Sequence, residues 1–181
     1  MAAVTVPPAR LSQELREGSS PDLARRRAAI ALSFTGILIG KVVADYQPGL
    51  IKRLPDVLPG RIFDAEKVDA SDYAYKRMQV PDALLMVLTY ASTAALAAAG
   101  GKDRARENPK LPIIAAAKAG YDVTTAFRLA REEWGDNKAL CSWCQIGTLV
   151  SAATFALAIP EALRAIGTLR GGGNGMAAGA A

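Results

Sequence analysis

Two cysteines three residues apart, Cys141 and Cys144, carry the most specific chemical signal in this sequence of 181 residues. They form a C-x-x-C motif and are the only cysteines in the chain. Two thiols at this spacing can form a disulfide and exchange it with another thiol or disulfide. The motif therefore favours a redox-active dithiol.

The amino-acid composition excludes several other functions for this cysteine pair. The chain contains no histidine, which excludes a Ser-His-Asp triad, a Cys-His nucleophile pair and a zinc site with histidine ligands. Two cysteines cannot complete a zinc site within one chain, so a metal site would need four thiolates from a dimer. We therefore predict no metal site, and two inert, buried cysteines remain as the other alternative.

Four apolar blocks in the sequence predict membrane helices. The blocks 83–101 and 139–160 are free of charge, and each matches the roughly 20 residues that cross about 30 Å of hydrocarbon. The blocks 28–44 and 111–129 are interrupted by charged residues. We predict an all-α, polytopic membrane protein with a four-helix transmembrane bundle. A soluble, alanine-rich helical bundle is the alternative.

The charged residues outside these blocks predict the orientation in the bilayer. The polar segment 1–27 ends in three arginines directly before the first block, which predicts a cytoplasmic N-terminus. The connection 102–110 is also basic and is expected inside, and the tail 164–181 is predicted to be flexible and cytoplasmic. The C-x-x-C then lies at the outer face of the cell (inner) membrane. The net charge of +5 reflects this orientation rather than binding to nucleic acid.

The ends of two helices can be predicted from capping residues and from the motif itself. Ser20, Pro21 and Asp22 indicate the start of the first helix, because a hydroxyl cap, a proline and an acid suit the first turn. The fourth helix is expected to begin at the C-x-x-C, where the helix dipole favours a thiolate at Cys141. We expect Cys141 to be the more exposed nucleophile and Cys144 to be the resolving or quinone-facing thiol.

Further motifs accompany the cysteine pair. The run Ser71-Asp72-Tyr73-Ala74 is followed by Met-Gln-Val-Pro-Asp-Ala-Leu-Leu at 78–85. These resemble S-x-Y-[AS] and F-G-[IV]-P-x-A-L-L of the vitamin K epoxide reductase family in its bacterial form. The segment 141–144 stands for that family's C-P-W-C, with serine in place of proline. The resemblance covers about residues 28–163.

The resemblance implies a four-helix membrane bundle that encloses a quinone, ubiquinone or menaquinone, next to the C-x-x-C. It places Thr148 and Tyr75 near the quinone, and we add Trp143 because it lies within the motif. It also implies a second cysteine pair in the first outer loop, which receives electrons from a thioredoxin-like partner. This chain has Ala65 at one of those loop positions and lacks the pair.

Charged residues also occur within the predicted spans. Lys118 and Asp122 are four residues apart, so they share a helix face and can pair, and Lys41 and Asp45 repeat this spacing. Ionisable groups at membrane depth usually face the protein interior and carry function. Because quinone reduction consumes two protons, Asp122 and Asp45 are candidate members of a proton relay, with neutralised structural pairs as the alternative. Tyr90 is expected to anchor its helix at the membrane interface.

The sequence thus predicts a membrane thiol:quinone oxidoreductase. A reduced, thioredoxin-like periplasmic thiol protein would attack the disulfide at Cys141, and Cys144 would pass electrons to a bound quinone. The alternative is a non-catalytic membrane subunit that packs with other membrane subunits in a larger complex. The missing loop cysteines favour that alternative.

Overall fold

The computed structural model describes residues 7–177, with side chains up to residue 171, and this part of the chain is all-α. The helices are α1 (Pro8–Glu17), α2 (Pro21–Tyr46), α3 (Ala65–Asp69), α4 (Asp82–Ala98), α5 (Arg104–Glu107), α6 (Lys110–Asn137) and α7 (Ser142–Ala177). A 3-10 turn covers Asp72–Tyr75. An isolated bridge joins Phe63 to Leu140.

The four long helices form a closed bundle. α2 packs against α4 and α7, and α6 packs against the same two helices. Sequential helices in this set run antiparallel, so α2 and α6 end, and α4 and α7 begin, at one end of the bundle. The segment 47–81, with α3 and the 3-10 turn, lies at that end, which we call the motif end because it holds the C-x-x-C.

Large apolar side chains lie on the outer surface of all four long helices. α2 and α7 are long and apolar enough to cross a membrane by length and composition, and α4 is a shorter apolar helix. Large apolar side chains are exposed on each helix: Phe34, Leu38, Leu88, Ile114, Phe127, Leu149 and Leu163. An exposed surface of this kind is expected where lipid rather than water covers the protein.

Glycines allow the helices to approach each other closely at the centre of the bundle. A Cβ atom at Gly36 of α2 would lie 2.6 Å from ring atoms of Tyr90 on α4. Small residues at such crossings permit van der Waals packing where no hydrophobic effect drives helices together. Tyr90 is only 4% exposed, and its hydroxyl donates to the Gly147 carbonyl at 2.6 Å. The expected interfacial position of Tyr90 is therefore wrong.

Two arginines satisfy backbone carbonyls at the opposite end of the bundle. The Arg26 guanidinium donates to the carbonyls of residues 97–101 at 2.8–3.2 Å, where the last carbonyls of α4 have no partner within the helix. Arg104 forms a buried, bidentate pair with Glu161 at 2.9 and 2.8 Å. The Arg26 contacts join α2 to the end of α4, and the Arg104 pair joins α5 to α7.

Several helix ends differ from the sequence-based boundaries. α2 begins at Pro21 with the Ser20 hydroxyl accepting from the Leu23 N–H at 3.1 Å, which confirms the predicted capping. α1 occupies part of the polar segment 1–27, and residues 1–6 lie outside the described residues. α6 continues past the block 111–129, and α7 continues into the predicted flexible tail. Residues 178–181 of that tail also lie outside the described residues.

Candidate functional site

The C-x-x-C motif lies at the N-terminus of α7, as the sequence predicts. Cys141 directly precedes the helix, and the Cys144 N–H in its first turn donates to the Cys141 sulfur at 3.3 Å. Both cysteines are free thiols, and their sulfur atoms lie within 4.8 Å of each other. The two thiols are therefore placed to form a disulfide across the first turn of α7.

The accessibility of the two thiols is the reverse of the expectation. Cys141 is 0% exposed, whereas Cys144 is partly exposed. The segment 54–65, which we call the cover, lies over the start of α7. The Trp143 indole donates to the Pro55 carbonyl at 3.0 Å, and the Ser142 hydroxyl accepts from the Val57 N–H at 3.0 Å. The sequence predicted an exposed Cys141 because it could not show this cover.

One carboxylate holds the cover to the motif. The Asp56 side chain accepts from the Ser142 N–H at 3.2 Å and from the Ala65 N–H at 3.0 Å. A short backbone pairing adds to this contact, since the Leu140 N–H donates to the Ile62 carbonyl at 2.8 Å. Opening the cover would therefore leave the first N–H group of α7 without its acceptor.

Cys144 opens into a cavity of about 330 Å³ between the four long helices. This volume falls in the range of small-molecule sites, roughly 300–1,000 Å³. Apolar atoms form most of the wall surface, and the Thr148 and Ser151 hydroxyls contribute polar groups to it. Six acidic or basic side chains also line the cavity: Asp69, Arg77, Asp82, Asp122, Arg128 and Glu133. An apolar ring with two carbonyl oxygens fits such a wall, so the residues present fit a quinone.

The three residues predicted to contact a quinone lie in different places. Thr148 lines the cavity, and its hydroxyl donates to the Cys144 carbonyl at 3.1 Å. Tyr75 instead lines a separate, open depression, where its hydroxyl donates to the Gln47 carbonyl at 2.6 Å. Trp143 packs among core side chains and contacts the cover. The structure thus brings Thr148 to the cavity and places Tyr75 and Trp143 elsewhere.

The two predicted ion pairs are confirmed, but they differ in their position relative to the cavity. Lys118 and Asp122 pair at 2.6 Å, and Asp122 lines the cavity. Lys41 and Asp45 pair at 2.5 Å on the outer surface of α2. Asp122 is therefore placed where it could exchange a proton with a bound ligand, and Asp45 is not.

The sequence did not predict the two buried carboxylates that lie beside the cysteines. Glu133 of α6 is 2% exposed, accepts from the Cys141 N–H, and accepts from the Gln145 amide at 3.0 Å. Asp69 of α3 is also 2% exposed, and one of its oxygens lies within 4.8 Å of both sulfur atoms. The sequence gives one weak indication for Asp69, which stands two residues before the Ser71 motif. It gives none for Glu133, which lies in a charged stretch that is typical of a solvated loop.

Burial shifts the pKa values of Asp69 and Cys141, which both lie outside the four long helices. Burial raises the pKa of Asp69 to about 7; the interaction with the nearby Cys141 thiol opposes this shift, and the Asp82 carboxylate adds to it. Hydrogen bonding by Cys144 lowers the pKa of Cys141, which lies just before α7. Burial and the Asp69 charge have a larger, opposite effect and raise the pKa of Cys141 to about 11. The thiolate that the helix dipole was expected to favour is therefore not the resting form.

Cys141, Cys144 and Asp69 do not supply enough ligands for a structural zinc site. They supply two sulfur atoms and one carboxylate, whereas a structural zinc site uses four protein ligands in a tetrahedron. We therefore interpret the cluster as a dithiol with a carboxylate beside it.

Comparison with known protein families connects this geometry to one of them. The model of the vitamin K epoxide reductase family matches residues 27–159, which is well over half of the chain. The comparisons with curated proteins and with solved structures each give no match. The matched range begins in α2, ends in α7, and includes the cover, the cavity wall and both cysteines. The chain therefore belongs to the vitamin K epoxide reductase family.

Proposed function

We propose that this protein is a membrane thiol:quinone oxidoreductase that works through the Cys141–Cys144 disulfide. One observation carries the proposal: Cys144 opens into a largely apolar cavity, while Cys141 lies beside it at the helix N-terminus. Membership of the vitamin K epoxide reductase family supports membrane disulfide and quinone chemistry in general terms.

The reaction has two halves that balance in electrons and protons. In the first half, a thiolate of an external dithiol protein attacks Cys141, and Cys144 leaves; the second external thiol then resolves the mixed disulfide. The external protein ends as a disulfide, and both cysteines end as thiols. In the second half, the two cysteines lose two electrons and two protons as their S–S bond forms again. Ubiquinone or menaquinone in the cavity would supply the acceptor for these two electrons and two protons.

The chain's own residues support this chemistry around the cavity. The apolar part of the wall suits the ring of a quinone. The Thr148 hydroxyl lies one helical turn beyond Cys144, where it can turn towards a carbonyl oxygen in the cavity. Asp122 lines the cavity from α6 and pairs with Lys118, and this pair is the proposed route for protons through the bundle. The position of Asp45 on the outer surface gives no support to a relay role.

We further propose that α2, α4, α6 and α7 each cross the inner membrane. The length and composition of α2 and α7, and the large apolar side chains exposed on all four helices, support this arrangement. Arg26 and Arg104 lie at the end opposite to the motif, together with the predicted basic connection, so the positive-inside tendency favours cytoplasmic termini and an outer, periplasmic motif end. A thioredoxin-like periplasmic protein is the proposed partner, and it must displace the cover to reach Cys141.

Thiol trapping in membranes tests the proposed function. The Cys141–Cys144 pair should be oxidised when the quinone pool is oxidised and should become reduced when quinone is depleted. Thr148→Val should slow the re-oxidation, whereas Thr168→Val, on an exposed part of the same helix, should leave it unchanged. A cysteine pair whose redox state ignores the quinone pool would show that the proposal is wrong.

A second candidate is a non-catalytic membrane subunit of a larger complex. The burial of Cys141 under the cover and the absence of loop cysteines from the sequence favour it. The double variant Cys141→Ala/Cys144→Ala separates the two functions. Loss of electron transfer with intact assembly supports the enzyme, whereas loss of assembly supports the subunit.

A further inference from the structure

Asp69 is a buried carboxylate that the thiol chemistry described above does not use. It ends α3 and is 2% exposed. Its Oδ1 atom accepts from the Gln47 amide at 3.2 Å, but its Oδ2 atom has no hydrogen-bond partner among the described residues. A buried carboxylate oxygen without a partner is costly, so it calls for an explanation.

The Asp69 carboxylate lies directly beside the reacting sulfur atoms. A carboxylate oxygen of Asp69 and the sulfur atoms of Cys141 and Cys144 all lie within 4.8 Å of one another. Asp69 also lines the cavity into which Cys144 opens. Asp69 therefore lies beside both thiols and on the wall of the cavity.

The other titratable groups around Asp69 are already engaged in contacts of their own. Both oxygens of Glu133 accept hydrogen bonds, from the Cys141 N–H and from Gln145. Asp82 at the start of α4 is held by Gln47 at 2.8 Å and lies 3.7 Å from Arg77. The remaining groups near Asp69 on the packed elements are Asp56 of the cover, Tyr46 at the end of α2 and Tyr75 of the 3-10 turn.

We propose that Asp69 is a catalytic residue that accepts the proton of the Cys141 thiol and so makes the thiolate that exchanges with disulfides. The proposal rests on the thiol chemistry of the proposed function. In this step the S–H bond of Cys141 breaks, an O–H bond forms on Asp69, and no electron changes hands. In the reverse step the protonated Asp69 returns the proton to the sulfur.

The protonation behaviour of Asp69 suits this task. A general base works best when its pKa lies near the working pH, and burial raises the pKa of Asp69 to about 7. Below that pH the carboxyl group is already protonated and cannot accept a proton from Cys141. The rate of thiolate-dependent exchange should therefore rise with pH through about 7.

Exchange of the reduced protein with a small soluble disulfide tests the proposal without quinone. Two soluble thiols are released for each Cys141–Cys144 disulfide that forms, so the reaction balances and can be followed by absorbance. Asp69→Asn keeps the size and the acceptor for Gln47 but removes the base. We expect this variant to react at least about tenfold more slowly at pH 7, since general acid–base catalysis contributes on the order of a hundredfold or more.

The matched control is Asp72→Asn, an exposed aspartate three residues away. It should keep the wild-type rate and the inflection near pH 7, which Asp69→Asn should lose. The proposal is overturned if Asp69→Asn keeps that inflection and reacts as fast as the control. Because the soluble disulfide replaces both quinone and protein partner, failure of quinone transfer would leave this result standing.

Infrared spectroscopy of the wild-type protein, labelled with isotopic aspartate, keeps the proposal testable if Asp69→Asn does not fold. We expect the band of a protonated aspartate carboxyl group to titrate near pH 7 in the reduced protein and to shift when the disulfide forms. A spectrum in which no aspartate carboxyl group titrates in that range would also overturn the proposal.

Discussion

Replacement of Asp56 should open the cover and expose Cys141. The carboxylate accepts from the Ser142 N–H at 3.2 Å and from the Ala65 N–H at 3.0 Å, and both of these residues are fully buried. Asp56→Ala removes both acceptors at once. The closed state then holds two buried N–H groups without partners, whereas the open state lets water satisfy them.

The size of the effect follows from these two hydrogen bonds. A buried donor that loses a charged acceptor costs about 1–3 kcal/mol, and part of this is recovered when neighbouring groups or water adjust. We take a net destabilisation of the closed cover of about 2 kcal/mol, which corresponds to about a thirtyfold increase in the open fraction. Asp56→Asn keeps one acceptor oxygen and should give an intermediate increase.

Labelling of Cys141 with a thiol reagent measures this opening directly. The assay uses a Cys144→Ser background, so that Cys141 is the single thiol. Asp64→Ala is the matched control, because the Asp64 side chain lies in the cover and caps α3 through the Lys67 N–H at 3.0 Å. The Asp64 N–H donates to the Leu140 carbonyl, and this backbone bond is kept in the variant. An unchanged labelling rate in Asp56→Ala, or an equal rise in the control, would refute the idea that Asp56 keeps Cys141 closed.

Two further predictions concern the interior of the bundle and use thermal unfolding in detergent as the readout. Lys118→Met leaves the Asp122 carboxylate without its cation and should destabilise the protein by about 3 kcal/mol. The double variant Lys118→Met/Asp122→Leu should recover most of this loss of stability. Additive losses in the double variant would contradict a coupled pair. Gly36→Ala forces a methyl group against the Tyr90 ring and should cost about 1–3 kcal/mol, while Gly167→Ala, whose added methyl meets no neighbour, should be neutral or stabilising.

The sequence predicts the long helices well because their signal is local. The charge-free blocks and the cap at Ser20 depend on neighbouring residues, and the structure confirms the cap and the position of Cys141 at a helix N-terminus. The matched family range also agrees with the resemblance found over residues 28–163.

The parts that sequence reasoning missed depend on contacts between distant residues. The hydrogen bond that holds the cover joins Asp56 to Ser142, 86 residues away, and no local pattern predicts such a pairing. Asp69 reads as a solvated loop carboxylate, since isolated aspartates are mostly exposed. Its burial becomes visible only when α3 packs against the start of α7.

The cover also explains how this chain differs from the four-cysteine relay that the family resemblance implies. Ala65, at the position of a loop cysteine, is fully buried and packs in the same core cluster as Cys141, and its N–H shares Asp56 with Ser142. The loop therefore keeps its contact with the motif, but a methyl group replaces the thiol that would pass electrons inward. Under the proposed function, an external dithiol would reach the disulfide at Cys141 only after the cover had moved, because the loop has no thiol. Movement of the cover would then take the place of the missing cysteine pair as the step that admits electrons.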